Sequence, residues 1–388
     1  MRVLIVKLSS IGDVVHALPA AALVRRALPG SRIAWVVERR AGAILKDSPV
    51  IDELIEIDTR AWRGQLLSGA TLGEIRSRLD RLRGQRDMNG GDGGGVDVAI
   101  DFQGLLKSGV VAKASGAARR VGFETGELRE KASRFFLTEQ VATAHLKHVI
   151  DKNIALAQRA VTYATTNSSV NSNGLNNRYE FPITVSREDE RFVEQAIDER
   201  GGGRFAIINP GGGWPTKLWS AQAYGQVADL LRSEHGLASF ITYGPGEEAL
   251  ARSVAASSRS GAARPFASTL KQFVALARRA ELFVGGDTGP LHLAAASGTP
   301  IVGIYGPTSP ERNGPFDKRD LVVGRNLWCR QDCHRRSCWH WECMDIPVGE
   351  VARAVALRLA PEAAGLEKHD SKGGVAPVTL RAPDLITR

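Results

Sequence analysis

RVLIV at 2–6 is an unbroken apolar run of strand length. After the loop KLSSIG, the apolar residues of DVVHALPAAALVRRAL (13–28) recur at helical spacing. A strand, a tight turn and a helix are predicted. IAWVV (33–37), LIEI (54–57), VDVAI (96–100) and RVGF (120–123) read as further buried strands, separated by intervals long enough for helical crossovers. The same pattern restarts at FAIIN (205–209) and continues through a helix near AQAYGQVADLLR to ASFITY, LFVGG (282–286) and PIVGIYG (300–306). The fold class is therefore α/β, with two domains built on parallel sheets. Between strands, NGGDGGGVD (89–97) predicts a mobile surface loop, because glycine entropy resists any fixed conformation. TTNSSVNSNGLNNR (165–178) is the sharpest shift in composition and marks a linker. The expected boundaries are 1–165 for the first domain, 166–180 for the linker, 181–362 for the second domain and 363–388 for a disordered tail. Two such sheets would hold ligands at the carboxyl ends of their strands, facing each other across a cleft.

Length and composition agree with this outline. The 388 residues suit two domains, and 43% hydrophobic with 24% charged residues describes a packed, water-soluble chain. The first apolar run is too brief for a signal peptide, and the longest uncharged stretch, 288–310, is broken by several glycines and prolines. A cytoplasmic chain without a spanning helix is expected. The formal charge of +9 favours an acidic partner: nucleic acid, an anionic membrane surface or a phosphorylated substrate. Aromatics at 6%, with no zinc-finger, basic-zipper or RNP-like pattern, argue against nucleic acid.

Four constellations carry candidate chemistry. In Ser9-Ser10-Ile11-Gly12-Asp13, Asp13 falls in the first turn of a helix, where the macrodipole favours its ionised form; it is either a cap or a general base. In Asn209-Pro210-Gly211-Gly212-Gly213-Trp214-Pro215-Thr216-Lys217, the glycines allow close approach of an anion and Lys217 supplies positive charge, although the spacing is not that of a Walker loop. In GGDTGPLHLAAASG (285–298), Asp287, Thr288 and Gly289 open a helix whose N–H groups suit phosphate oxygens. There His292 is either a ligand contact or a hydrogen-bonded core histidine. Cys329, Cys333, Cys338 and Cys343, interspersed with His334 and His340, admit a zinc or iron–sulfur site, or reduced thiols that stabilise a local loop. Their C-x3-C-x4-C-x4-C spacing matches neither a zinc knuckle nor a ferredoxin run. A further basic set in the first domain (Arg60, Arg63, Lys107, Arg119, Arg120, Arg129, Lys131) would form an anion-binding face if its loops converge.

MRVLIVKLSSIGDVVHALPA, AIDFQGLLKSG (99–109), GGDTGPLHLAAA and IVGIYGPTSP resemble the motifs of glycosyltransferase family 9, the ADP-heptose lipopolysaccharide heptosyltransferases, and within it the heptosyltransferase I group. The resemblance spans about residues 1–355. It implies a GT-B fold of two Rossmann-like domains, with the acceptor held by the first and ADP-heptose by the second. It also implies an inverting reaction without a metal ion or other cofactor: heptose passes to Kdo-lipid A, at the cytoplasmic face of the inner membrane, with peripheral contact to that anionic surface. By the resemblance, Asp13 is the base and Lys217 stabilises the diphosphate. Gly212, Gly213, Glu247, Asp287, Thr288, Gly289 and His292 bind the donor. Ser10, Gly12, Arg60, Arg63, Gln103, Lys107 and Arg129 face the acceptor. The glycine insertion, the Ser/Asn linker and the cysteine cluster depart from that pattern. They keep open a heptosyltransferase II-like enzyme, or another family member adding a later heptose or another nucleotide-linked sugar. Outside the family, the alternatives are a GT-B nucleotide-sugar epimerase and a metal-binding or redox module built on the cysteines.

Overall fold

The computed structural model describes residues 1–64, 68–83, 95–164, 179–325, 327–329, 333, 335–360 and 378–381. The 165–178 segment and most of 89–97 lie outside them. The chain forms two units, Met1–Thr184 and Val185–Arg388.

The first unit runs β1 (Arg2–Val6), α1 (Ile11–Ala27), β2 (Arg32–Glu38), α2 (Arg39–Gly42), β3 (Glu53–Ile57), α3 (Thr59–Gly64), α4 (Gly69–Arg83), β4 (Val98–Asp101), α5 (Leu106–Ala114), β5 (Arg119–Phe123), β6 (Glu139–Val141) and α6 (Val149–Ala164). Its sheet has the order β3-β2-β1-β4-β5-β6, and every pairing is parallel. Parallel strands need crossovers that cover both faces, so a central strand such as RVLIV is buried at all five positions and reads as continuous apolar sequence. Helix α1 is likewise buried from Val14 to Val24, and it packs on α6. Inside α1, Pro19 has no N–H to donate to the carbonyl of Val15. One residue on, the buried Asn153 of α6 donates to the carbonyl of His16 at 3.0 Å.

The second unit runs α7 (Arg187–Asp198), β7 (Phe205–Asn209), α8 (Ala221–His235), β8 (Ala238–Tyr243), α9 (Glu248–Ser257), β9 (Ala263–Ala267), α10 (Leu270–Ala277), β10 (Leu282–Gly286), α11 (Gly289–Ala296), β11 (Ile301–Ile304), α12 (Pro310–Asn313), β12 (Leu321–Gly324), α13 (Val348–Leu359) and β13 (Val378–Arg381). The order β13-β12-β11-β10-β7-β8-β9 repeats the winding of the first unit, again all parallel.

Two boundaries differ from the sequence expectation. Residues 181–184 belong to the first unit. They are held there because Ser48 donates to the carbonyl of Pro182 at 2.9 Å and Thr184 donates to that of Lys46 at 3.1 Å. Val378–Arg381, placed in a disordered tail by its mixed composition, forms the edge strand β13 on β12. The free edge of β12 offers unpaired backbone groups, and the Val-Thr pair suits a strand. Among the described residues, no helix is long and apolar enough to cross a membrane.

Asn153→Leu is expected to remove this added bond to the His16 carbonyl and to cost about 0.5–1.5 kcal/mol. Urea unfolding of the native and variant chains measures this, and equal midpoints would show the bond to be dispensable.

Candidate active site

In both sheets the chain winds outward from the first strand and then returns to its other side. β1 and β4, like β7 and β10, therefore part company at their carboxyl ends, and loops there meet no overlying crossover. Ser10, Asp13, Gln103, Lys107, Lys217, Asp287 and His292 come from those loops or the helix turns that follow them, whereas Arg60 follows β3, Arg129 follows β5 and Glu247 follows β8.

In the first unit, Lys7 follows β1 and is only 4% exposed. Its Nζ donates to the carbonyl of Phe102 at 2.7 Å and stands 3.8 Å from Asp13 Oδ1. Ser10, the residue that starts α1, donates to Asp13 Oδ2 through both its N–H (2.8 Å) and its hydroxyl (3.1 Å). Burial would push the Asp13 carboxyl up, but Lys7, the Ser10 N–H and Arg129 outweigh it and hold the carboxyl below its ordinary value. One oxygen is thus committed to Ser10, while Oδ1 faces the ammonium. Asp13 closes part of a helix cap, and it is also a carboxylate kept ionised beside a buried cation.

Gln103 has a structural place. Its Oε1 accepts from the N–H groups of Leu8 and Ser9, tying the loop after β1 to the loop after β4. Asp101, at the end of β4, shapes that second loop by accepting from the N–H groups of Gln103 and Gly104 and from the hydroxyl of Ser108. Gly12 is buried in the first turn of α1. Lys107 does not offer an unmatched charge, because its Nζ is bound to Glu38 Oε1 at 2.6 Å and Thr59 Oγ1 at 3.0 Å. Arg60 and Arg129 are exposed, and the side chain of Arg63 lies outside the described residues. Among the described members of the basic set, only Arg129 acts on Asp13 by its charge. Arg119 and Arg120 turn elsewhere, to Glu139 and to the carbonyls of Ala117 and Phe136.

In the second unit, the glycine loop after β7 ends in a short 3-10 turn, Pro215–Lys217. Gly213 has φ +68°, a conformation that favours glycine. A Cβ at Gly211 would lie 2.7 Å from the Glu247 carboxylate, so that carboxylate rests directly on the loop. Glu247 also accepts from the Gly244 N–H at 2.9 Å. Lys217 Nζ donates to both the carbonyl (2.8 Å) and the Oδ2 (2.6 Å) of Asp287, and it lies 4.2 Å from the centre of the Trp214 ring. The other oxygen of Asp287 accepts from Asn313 Nδ2 at 2.8 Å and is 3.1 Å from His292 Nε2. Burial alone would raise the Asp287 carboxyl; the His292 hydrogen bond and charge, with the Lys217 ammonium, hold it far below the usual carboxylate range. Lys217 is thus fixed by a buried ion pair, and two of its three N–H bonds are spent on Asp287. Thr288 precedes α11 without capping it; its hydroxyl donates to the carbonyl of Gly286 instead. The first N–H groups of α11, beginning at Gly289, have no side-chain cap and suit phosphate oxygens.

Sequence reasoning passed over Lys7, Trp214 and Asn313. A lysine that ends a strand reads as a surface residue, and Asn313 reaches Asp287 only through the fold.

All four cysteines are free thiols. Four cysteines, His340 and Trp341 are among the residues lining a cavity of about 280 Å³. Cys329 and Cys338 flank the His340 ring, each 3.7 Å from one of its nitrogens. Burial and the neighbouring thiols push the Cys343 thiol up to about 11. Among the described residues, no group of three or more His, Cys, Asp or Glu side chains is arranged to hold a metal ion; His334 lies outside them. The segment instead braces the Lys217 turn: Trp341 Nε1 donates to the carbonyl of Thr216 at 3.0 Å, and the Thr216 hydroxyl donates to that of Arg335.

Two doubly wound units with their candidate groups at the strand reversals define the GT-B class, and solved structures share this fold. E. coli heptosyltransferase WaaC, solved with ADP-2-deoxy-2-fluoro heptose, matches with a TM-score of 0.68 and 23% identity over 93% of this chain and 100% of its own. E. coli ADP-heptose LPS heptosyltransferase II matches at 0.69 and 20%, over 94% and 100%. By sequence, the lipopolysaccharide heptosyltransferase 1 of Pseudomonas aeruginosa is 30% identical over 87% of each chain. That of Escherichia coli K12 is 26% identical over 83% of this chain and 93% of its own. Residues 93–340 match the model of glycosyltransferase family 9 (heptosyltransferase), and the chain belongs to that family. Lys217, Glu247, Asp287 and His292 fall inside the matched span, whereas Asp13 precedes it.

Two consequences are measurable. Lys7→Met is expected to raise the Asp13 carboxyl, so the acid limb of the kcat/KM profile should move to higher pH; an unmoved limb would remove Lys7 from this role. Asp287→Asn, which leaves Lys217 buried without its counter-charge, is expected to cost about 3–5 kcal/mol in urea unfolding. Because the folded chain lowers the Asp287 carboxyl from its ordinary 3.8, that stabilisation is present above this pH and is lost as pH falls. The native–variant gap should therefore narrow in acid.

Proposed function

We propose that this transferase moves L-glycero-D-manno-heptose from ADP-heptose to Kdo-lipid A, adding the first inner-core heptose with inversion and without a metal ion. The observation that carries this reading is the ionised Asp13 carboxylate, held by Lys7 and Ser10 at the start of α1 in a family 9 chain. Asp13 takes the proton from the acceptor hydroxyl, whose oxygen attacks the anomeric carbon, and ADP departs with the bonding electrons. The departing diphosphate needs positive charge more than a proton, and Lys217 with the open N-terminus of α11 supplies it. Both oxygens of Asp287 are engaged by Lys217, His292 and Asn313, which suits a carboxylate that positions a lysine. Glu247, resting on the glycine loop with Gly212 and Gly213, takes the nucleoside's ribose hydroxyls.

Kdo-lipid A is strongly anionic, and the exposed Arg60 and Arg129 give the basic charge of the first unit a specific use. The choice of this acceptor is supported by the relatives: those named heptosyltransferase 1 reach 30% identity over 87% of the chain, against 20% over 76% for the heptosyltransferase 3 of E. coli K12. The enzyme would then work at the cytoplasmic face of the inner membrane.

The test is ADP release from ADP-heptose with and without Kdo-lipid A. Acceptor-dependent release should fall about 10²–10⁴-fold in Asp13→Ala, with donor binding retained. It should fall about 10²–10³-fold in Lys217→Met. Release without an acceptor would favour a nucleotide-sugar hydrolase, epimerised ADP-heptose without net release would favour an epimerase, and release only with heptosylated acceptors would assign a later transfer.

A further inference from the structure

The thiols of Cys329, Cys333, Cys338 and Cys343 take no part in the proposed transfer, yet all four line one cavity with His340. The fold does not make them alike. Cys338 Sγ accepts from the backbone N–H of Trp341 and from that of His340, and these bonds hold its thiol below the ordinary value. Cys343 is pushed the other way, up to about 11, by burial and by the other three thiols. A thiolate is the form that attacks an oxidant, so Cys338 is the nucleophile of the set and Cys343 is held back.

His340 links Cys338 to a second thiol. Its Nδ1 lies 3.7 Å from Cys338 Sγ, and its Nε2 lies 3.7 Å from Cys329 Sγ. A neutral imidazole has one N–H and one bare nitrogen, so it donates to a thiolate on one side and takes a proton from a thiol on the other. The two nitrogens point in diverging directions. The ring therefore stands between the sulfurs, and a disulfide closes only when the ring withdraws. The next residue, Trp341, braces the Lys217 turn through the bond from its Nε1 to the Thr216 carbonyl at 3.0 Å. Its φ of +28° is unfavourable for a bulky side chain, so it keeps this conformation only while its partners hold it. One of those partners is the Cys338 sulfur, which accepts from the Trp341 N–H.

We infer that Cys338 and Cys329 form a disulfide switch for hydroperoxides, whose closure frees Trp341 from Thr216 and loosens the turn that carries Lys217. The Cys338 thiolate attacks one peroxide oxygen, the O–O bond breaks, and the other oxygen leaves as hydroxide or alkoxide. Cys329, its proton passed to His340, attacks the sulfenic sulfur; the S–O bond breaks, and the departing hydroxide takes that proton as water. Two thiols and one hydroperoxide thus give a disulfide, one water and a second water or an alcohol. This chemistry needs no heptose, whereas its effect on the nucleotide rests on the role proposed for Lys217.

The experiment treats the reduced full chain with hydrogen peroxide, maps its thiols by mass, and follows hydrogen exchange of residues 214–219 and ADP affinity. A disulfide between Cys329 and Cys338 is expected, and in Cys329→Ser a sulfenic acid at Cys338 that dimedone traps. Exchange of the turn should become about fivefold faster, and ADP binding about tenfold weaker. Dithiothreitol should reverse both changes, and Cys338→Ser should show neither. Oxidation spread evenly over the four thiols, a disulfide that leaves exchange unchanged, or a metal ion retained by the thiols of the native chain overturns the proposal. Faster exchange with unchanged ADP affinity supports the switch and overturns the role of Lys217 in the proposed reaction.

Discussion

The reversal of winding beside the first strand of each sheet is the constraint on which the site depends. Because β4 lies on the opposite side of β1 from β2, and β10 lies opposite β8 across β7, crossovers leave in two directions and uncover the strand ends between them. A backbone exposed in that way needs partners, and the chain supplies them from across the reversal. Gln103 closes the loop after β1, and Lys217 reaches the carbonyl of Asp287 after β10. Each stitch that satisfies the fold also sets a charged group at the mouth of the sheet.

Both sites use one electrostatic device. A lysine and an aspartate are withdrawn from water together, and the ammonium helps hold the carboxylate ionised where burial alone would raise it. In the first unit the pair is loose, at 3.8 Å, and the carboxylate remains partly open. In the second it is tight, at 2.6 Å, and the carboxylate is fully engaged. In the proposed reaction the difference divides the labour: the partly open carboxylate of the first pair is the base, whereas the second pair presents its lysine.

Much of this was legible in the chain because central parallel strands advertise themselves. RVLIV, FAIIN, ASFITY and LFVGG are buried on both faces and carry no polar alternation to confuse their reading. Of the edge strands, LIEI was legible but β6 and β9 were not. EQV and ARPFA are half-exposed and short, with a proline in the second, and nothing in their pattern separates them from loops. At the site, Asp13, Lys217, Asp287 and His292 stood out through the glycines and helix starts around them. Their partners did not, since Lys7 and Asn313 acquire meaning only when β1 meets β4 and α12 meets the loop after β10. The basic residues of the first domain looked equivalent in sequence, but the fold sorts them: Lys107 is matched by Glu38, and Arg129 keeps company with Asp13.

The field that keeps Asp13 charged has a kinetic cost in the proposed reaction. A carboxylate made more acidic by its neighbours is a weaker base, and it draws little on an alcohol whose proton is still firmly held. Bond formation to the sugar must therefore run ahead of proton transfer, acidifying the hydroxyl until even a poor acceptor can take it. The same acidity then favours loss of the proton to water once product leaves, since the buried Lys7 ammonium beside Asp13 favours its charged form. Timing and turnover of the base are thus set by a lysine that need touch neither substrate.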